Sequence, residues 1–181
     1  MQPIAVLLAE GFEEIEAIAI IDTLRRAEFT VTTAGLAGIS VTGAHTITIQ
    51  ADTTLAKLTA ATLGAVVLPG GMPGAANLAA SSAVITLLQQ VRAAGKPVAA
   101  ICAAPLVLDK AGLIKGKRIT CYPGFESQCT SATVTSERVQ VDGDLVTARG
   151  PGAAIEFALA LITLYGKPDT AAKLRQAMIV K

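Results

Sequence analysis

Val98-Ala99-Ala100-Ile101-Cys102-Ala103-Ala104-Pro105 reads as an apolar strand that ends at a cysteine, with small helix-forming residues starting directly behind it. A buried strand that turns straight into a helix leaves its turn residue at the carboxyl edge of a sheet, beside the unpaired amides of the helix N-terminus. Those amides favour a thiolate, and a helix N-terminus lowers a cysteine below its free pKa of about 8.5. A free cysteine in an apolar run can equally serve as a small core hydrophobe. The glycine pattern of a serine-type nucleophile elbow is absent from this stretch.

The same alternation recurs on both sides. Ile4 to Ala9 is an apolar run of strand length, and from Glu13 onward Ile15, Ile18, Ala19 and Ile21 recur with helical period. Phe29 to Ala34 predicts a second strand. Gly35, Gly38 and Gly43 then punctuate two short segments, Ile39–Val41 and Thr46–Ile49, expected to form an antiparallel edge. Ala65–Leu68 is a buried strand followed by Pro69-Gly70-Gly71-Met72-Pro73-Gly74, and a helix is predicted from about Ser82 to Ala94. Behind the cysteine, a helix over Ala104–Ala111 stops at Gly112. Arg138–Val141 and Leu145–Ala148, joined by Asp142-Gly143, predict a hairpin, and Ala153–Tyr165 a helix. Strands alternating with helices imply an α/β sandwich, a mainly parallel sheet with helices on both faces and a short antiparallel edge.

The 181 residues fit one domain spanning the whole chain. A 52% hydrophobic content with 3% aromatics and no Trp builds the core from Ala, Val, Ile and Leu, the usual filling of a parallel sheet. A net charge of +1 without a basic stripe argues against nucleic acid and against a polybasic membrane patch. No apolar run reaches the roughly 20 residues of a membrane span and no signal peptide opens the chain, so a cytoplasmic protein is expected. Cys102, Cys121 and Cys129 form no CxxC pair, and His45 is the sole histidine. No metal is expected, because Cys121 and Cys129 have no histidine partner at ligand spacing. Neither of these two cysteines has an evident partner that would activate it, and His45 reads as a surface or interface residue. Arg26 complements the carboxyl end of the first helix.

Three loops should meet at the carboxyl edge of the sheet: Glu10–Glu16, Pro69–Gly74 and Cys102 itself. Helical spacing places Glu13 and Glu16 on one side, facing a cleft, with Glu14 pointing elsewhere. Acidic residues at a helix start also simply complement the dipole. A carboxyl pressed into an apolar pocket keeps its proton, which it can donate to a thiolate and then shuttle. Gly70 and Gly71 let backbone amides approach a ligand, as an oxyanion site requires, although a plain turn uses the same residues.

Glu10-Gly11-Phe12-Glu13-Glu14-Ile15-Glu16, Leu68-Pro69-Gly70-Gly71, Ala100-Ile101-Cys102-Ala103-Ala104-Pro105 and Ala148-Arg149-Gly150-Pro151-Gly152 together resemble the ThiJ/PfpI superfamily. The resemblance runs from Ile4 to Lys181 and is nearest to the branch containing the Parkinson's-disease-associated deglycase and its bacterial relatives. It implies a flavodoxin-like fold and a homodimer, Cys102 as nucleophile, Glu16 as its protonated partner, and Gly71 and Ala103 as oxyanion amides. Glu13, Gly70, Tyr122 and Pro151 would line the substrate pocket. The implied activity is glutathione-independent conversion of a 2-oxoaldehyde such as methylglyoxal to lactate, or removal of its adducts, without a cofactor.

Two departures bear on that expectation. Protease-like members carry a histidine directly after the nucleophile, whereas this chain has Ala103, which argues against a peptidase. Many members of the deglycase branch place a histidine before a proline near the site, and here the dipeptide is Tyr122-Pro123. A phenol gives up its proton less readily at neutral pH than an imidazole, which leaves more of the proton transfer to Glu16. The rival expectation is a redox-sensing stress protein or chaperone whose Cys102 is oxidised to a sulfinate held by Glu16.

Overall fold

The computed structural model describes residues 2–180. Strands are β1 (Ile4–Leu8), β2 (Val31–Gly35), β3 (Ser40–Thr42), β4 (Thr48–Gln50), β5 (Thr53–Thr54), β6 (Ala65–Leu68), β7 (Val98–Ile101), β8 (Arg118–Thr120), β9 (Thr133–Thr135), β10 (Val139–Asp142) and β11 (Leu145–Ala148). Helices are α1 (Glu14–Arg26), α2 (Gly74–Ala80), α3 (Ser82–Ala93), α4 (Pro105–Lys110), α5 (Ala154–Leu164) and α6 (Pro168–Ala177).

Seven strands form one sheet in the order β10-β11-β7-β6-β1-β2-β5, parallel throughout except for β10 against β11. The strands β1, β6, β7 and β11 are buried along their whole length, as strands covered on both faces must be, and their sequences are unbroken runs of Ala, Val, Leu and Ile apart from Thr147. Helices α1, α5 and α6 pack together, as do α2, α3 and α4, so each face of the sheet carries its own helical layer. This is the flavodoxin-like sandwich expected from the alternation. The antiparallel edge is supplied by β10, through the hairpin whose turn is Asp142-Gly143. The β3–β4 pair is antiparallel as expected but forms a separate two-stranded sheet, and β8 and β9 form a further parallel pair.

Chain direction reverses around β1: the chain steps to β2 on one side and then to β6 on the other. The crevice outside the carboxyl ends of β1 and β6 is therefore a topological switch point, where open α/β sheets place their ligands. Loops 9–13 and 69–73 open there, and β7, the neighbour of β6, delivers Cys102 beside them.

Helix α1 buries a different face from the one its isoleucines suggest. Ile15 and Ile18 are exposed at 62% and 48%, whereas Glu14, Glu16, Ala17, Ile20, Ile21, Thr23 and Leu24 are buried. Burying two carboxyls requires partners for them, and loops distant in sequence supply these.

Candidate active site

Cys102 leaves the strand region with φ 64°, a left-handed backbone that non-glycine residues rarely adopt and that commonly marks a functional turn. Its N–H donates to Ala148 O at 2.8 Å and its carbonyl accepts the Tyr122 N–H at 2.8 Å, so β11 and the Tyr122 loop over-determine the turn. The glycine that gives such an elbow its clearance comes from another loop. A Cβ on Gly70 would sit 2.7 Å from Cys102 Cβ, 2.8 Å from Ile101 O and 2.9 Å from Glu16 Oε2. Gly71, at φ 87°, would put a Cβ 2.3 Å from Glu13 N. These two positions exclude any side chain, and the backbone amides of Gly71 and Ala103 are free to hydrogen-bond to the Cys102 sulfur.

Glu16 is fully buried beside that sulfur. Glu13 caps α1 by accepting the Glu16 N–H at 2.7 Å, and its own N–H donates to Gly70 O at 2.9 Å, which fixes the helix start against the 69–73 loop. Glu16 Oε2 accepts the Gly70 N–H at 2.8 Å, and the carboxyl also hydrogen-bonds the Cys102 thiol. Oε1 has no other partner among the described residues. A buried carboxylate oxygen without a donor is costly, and a proton on Oε1 removes that cost. Burial accordingly raises Glu16 from 4.5 to about 7.

The expected low-pKa thiol is corrected. Burial, and after it the Glu16 carboxylate, push Cys102 up to about 12, outweighing the Gly71 and Ala103 amides. Two groups in contact lose protons as a pair, so between these values thiol and carboxyl hold a single proton between them. Glu16 is the more acidic partner, so that proton rests on sulfur and the carboxyl carries the charge; a thiolate forms when the proton passes to Glu16, whose donor-free Oε1 can take it, and the Gly71 and Ala103 amides then meet the charge on sulfur.

The structure thus brings Cys102, Glu16, Gly71 and Ala103 together. Glu13 and Gly70 also brace Glu16, through its backbone N–H and its Oε2. Glu14 points elsewhere, as its helical position predicts: it reaches the turn between β3 and β4, accepting the His45 N–H at 2.6 Å, bonding His45 Nδ1 at 2.9 Å and accepting the Ile47 N–H at 3.3 Å. His45 itself is exposed. Replacing Glu14 by Ala strands these donors and is expected to lower stability by about 2 kcal/mol, seen as a lower urea midpoint with faster amide exchange at 45 and 47. Ligand-capable atoms of Glu13, Glu14 and His45 lie within 4.8 Å of one another, a gathering hidden in the sequence because some thirty residues intervene. Arg26 pairs with Asp22 at 2.7 Å.

Tyr122 and Pro151 share a cavity of about 280 Å³ with Pro123, Arg138, Arg149 and Gly150; Cys102 is not in its walls. Tyr122 is 45% exposed, and its ring lies across Gly150, where a Cβ would come within 3.1 Å. The sequence also gave no sign that Cys121 and Cys129 are partners. Their thiols are hydrogen-bonded, which holds Cys121 below its ordinary value with help from Arg149, while Cys129 is pushed up.

The sequence model of the DJ-1/PfpI family matches residues 2–164. Similar proteins include DJ-1 homolog B of Arabidopsis thaliana, 38% identical over 179 residues, which cover 98% of this chain but 41% of that protein. The chain therefore spans less than half the length of that relative. Drosophila melanogaster dj-1beta is 45% identical over 157 residues, 85% of this chain and 84% of the relative. The crystal structure of Drosophila DJ-1beta superposes with a TM-score of 0.95 at 38% identity, covering 99% of this chain and 98% of that one. A Pyrococcus abyssi protein named as a deglycase is 32% identical over 152 residues, 82% of this chain and 90% of the relative. No helix among the described residues is long and apolar enough to cross a membrane.

Proposed function

The chain belongs to the DJ-1/PfpI family, and on that footing we propose that it is a cysteine-dependent, glutathione-independent glyoxalase or deglycase acting on small 2-oxoaldehydes or their adducts. The observation that carries this reading is the Cys102–Glu16 contact, a thiol and a carboxyl sharing one proton and enclosed with the Gly71 and Ala103 amides. In the reaction, Cys102 sulfur attacks the aldehyde carbon and charge passes from sulfur to the former carbonyl oxygen. The amides that held the thiolate then hold the oxygen of the hemithioacetal. The Glu16 carboxylate first passes the thiol's proton to that oxygen, then takes the proton from the former aldehyde carbon and returns it to the neighbouring carbon through an enediol, giving a 2-hydroxy thioester. Water hydrolyses the thioester to lactate and frees the thiol. No cofactor enters this scheme. Tyr122 and Pro151, on the adjoining cavity, are the residues in reach of a larger adduct.

The test is methylglyoxal consumption by the purified protein without added glutathione, with lactate read by stereospecific assay. Matched loss of aldehyde and gain of one lactate enantiomer is the expected result; no turnover overturns the proposal.

The amides aimed at sulfur also favour a second reading, a redox-sensing stress protein, because a sulfinate on Cys102 would find the same donors and the Glu16 acid. Absent turnover with preferential peroxide oxidation of Cys102 favours that reading. A second copy of the chain is the proposed partner in either case, seated on the exposed Ile15 and Ile18 of α1, of which Ile15 shares a surface hollow with Ile179.

A further inference from the structure

Within segment 121–129, Cys121 and Cys129 are the two buried residues, 2% and 1% exposed, while the residues between them are exposed except for half-buried Phe125. Successive turns fold the segment back on itself: Phe125 N–H donates to Tyr122 O at 3.0 Å, Gln128 N–H to Phe125 O at 3.0 Å and Cys129 N–H to Glu126 O at 3.1 Å. The two thiols face each other beneath this cover in hydrogen-bond contact, with the opposing charges of Glu126 and Arg149 acting on Cys121. Arg149 also lines the Tyr122 cavity.

We propose that Cys121 and Cys129 form an intramolecular disulfide when the protein meets a hydroperoxide, a modification site separate from Cys102. Either thiol of the pair can be the attacking sulfur; the steps are written for Cys121, the one within reach of the Arg149 charge. Its thiolate attacks one peroxide oxygen, the O–O bond breaks, and water leaves once a proton is supplied, giving a sulfenic acid. Cys129 sulfur attacks that sulfur, the S–O bond breaks, and a second water departs with the thiol protons. Two thiols lose two electrons and one hydrogen peroxide becomes two waters. The bond closes a loop that begins next to Tyr122, whose N–H holds the Cys102 carbonyl, so the cross-link pins the cavity wall beside the elbow.

The experiment is a hydrogen peroxide series on the reduced, folded protein, quenched with N-ethylmaleimide under denaturing conditions and mapped without reductant. Trypsin places Cys121 and Cys129 in the single peptide 119–138 and Cys102 in the peptide 93–110, so the two chemistries are read separately. The expected result is a 2 Da loss in peptide 119–138 with both alkylation sites gone, reversed by dithiothreitol. Cys129→Ser and Cys129→Ala are both expected to abolish that loss and leave Cys121 trapped by dimedone. Two alkylatable thiols persisting in peptide 119–138 after Cys102 has gained 32 Da would overturn the proposal. The readout is independent of turnover, so it stands or falls apart from the proposed enzymatic activity.

Discussion

A Cys102→Ala protein is expected to convert no methylglyoxal above the uncatalysed background, a loss of at least about 10³-fold, while remaining folded. The chemistry depends on one sulfur. Cys121 and Cys129 are sequestered in their own loop, and neither is among the groups acting on Cys102, so no second thiol stands ready to replace it. The fold should tolerate the change because the substitution deletes a sulfur held in a costly environment: burial and the Glu16 charge both oppose its ionisation. The left-handed turn is kept by the bonds to Ala148 and from Tyr122, which involve backbone alone. A stability change within about 1 kcal/mol, or roughly 2–4 °C in Tm for a chain of this size, is therefore expected. Lactate assays paired with thermal melts check both halves, and retained turnover in the folded variant would remove Cys102 from the mechanism.

Replacing Glu16 by Gln is expected to separate nucleophile from proton carrier. A glutamine is nearly isosteric: its amide oxygen can keep the Gly70 N–H and its NH₂ can face the sulfur. With the carboxylate charge gone, the second-largest cause that raises Cys102 is removed, so thiolate forms at lower pH and iodoacetamide should alkylate Cys102 faster than in the parent. Turnover should nevertheless fall about 10²–10⁴-fold, because an amide cannot accept and return the proton. Faster alkylation with slower catalysis is the distinguishing pair; a merely structural role for Glu16 would depress both.

The same variant changes how stability depends on pH. Burial raises Glu16 from 4.5 to about 7, so between those values the folded chain keeps a proton that the unfolded chain has released. Stability from this group is fully present below pH 4.5 and is lost as pH rises through 7, a change of about 3 kcal/mol. Urea midpoints at pH 5 and pH 8 should differ more in the parent than in Glu16→Gln.

Much of the frame is legible in the residues. Unbroken aliphatic runs mark β1, β6 and β7, the small residues after Cys102 announce a helix, and Asp142-Gly143 announces the β10–β11 hairpin. The α1 face was not legible, because hydrophobic period alone assigns Ile15 and Ile18 to the core and the donors that justify burying Glu14 and Glu16 lie in the β3–β4 turn and at Gly70. Short α2, starting on a glycine, carries no cap signal, whereas α6 begins with Pro168 and Asp169, signals sufficient to place a helix there. Bringing Cys102, Glu16 and Gly71 together depends on strand order, and strand order is a property of the whole sheet. The Cys121–Cys129 contact depends on turns in a segment with no hydrophobic period.

The main-chain wall around Cys102 also sets what directed evolution can change. At Gly70 and Gly71 any side chain strikes an atom of the machinery, so libraries built there would return inactive or misfolded clones. Tyr122 presents a half-exposed ring on the neighbouring cavity and has room to vary. Variation for new substrates should therefore accumulate on the 122–128 loop, leaving the reactive centre a fixed cartridge behind an interchangeable rim.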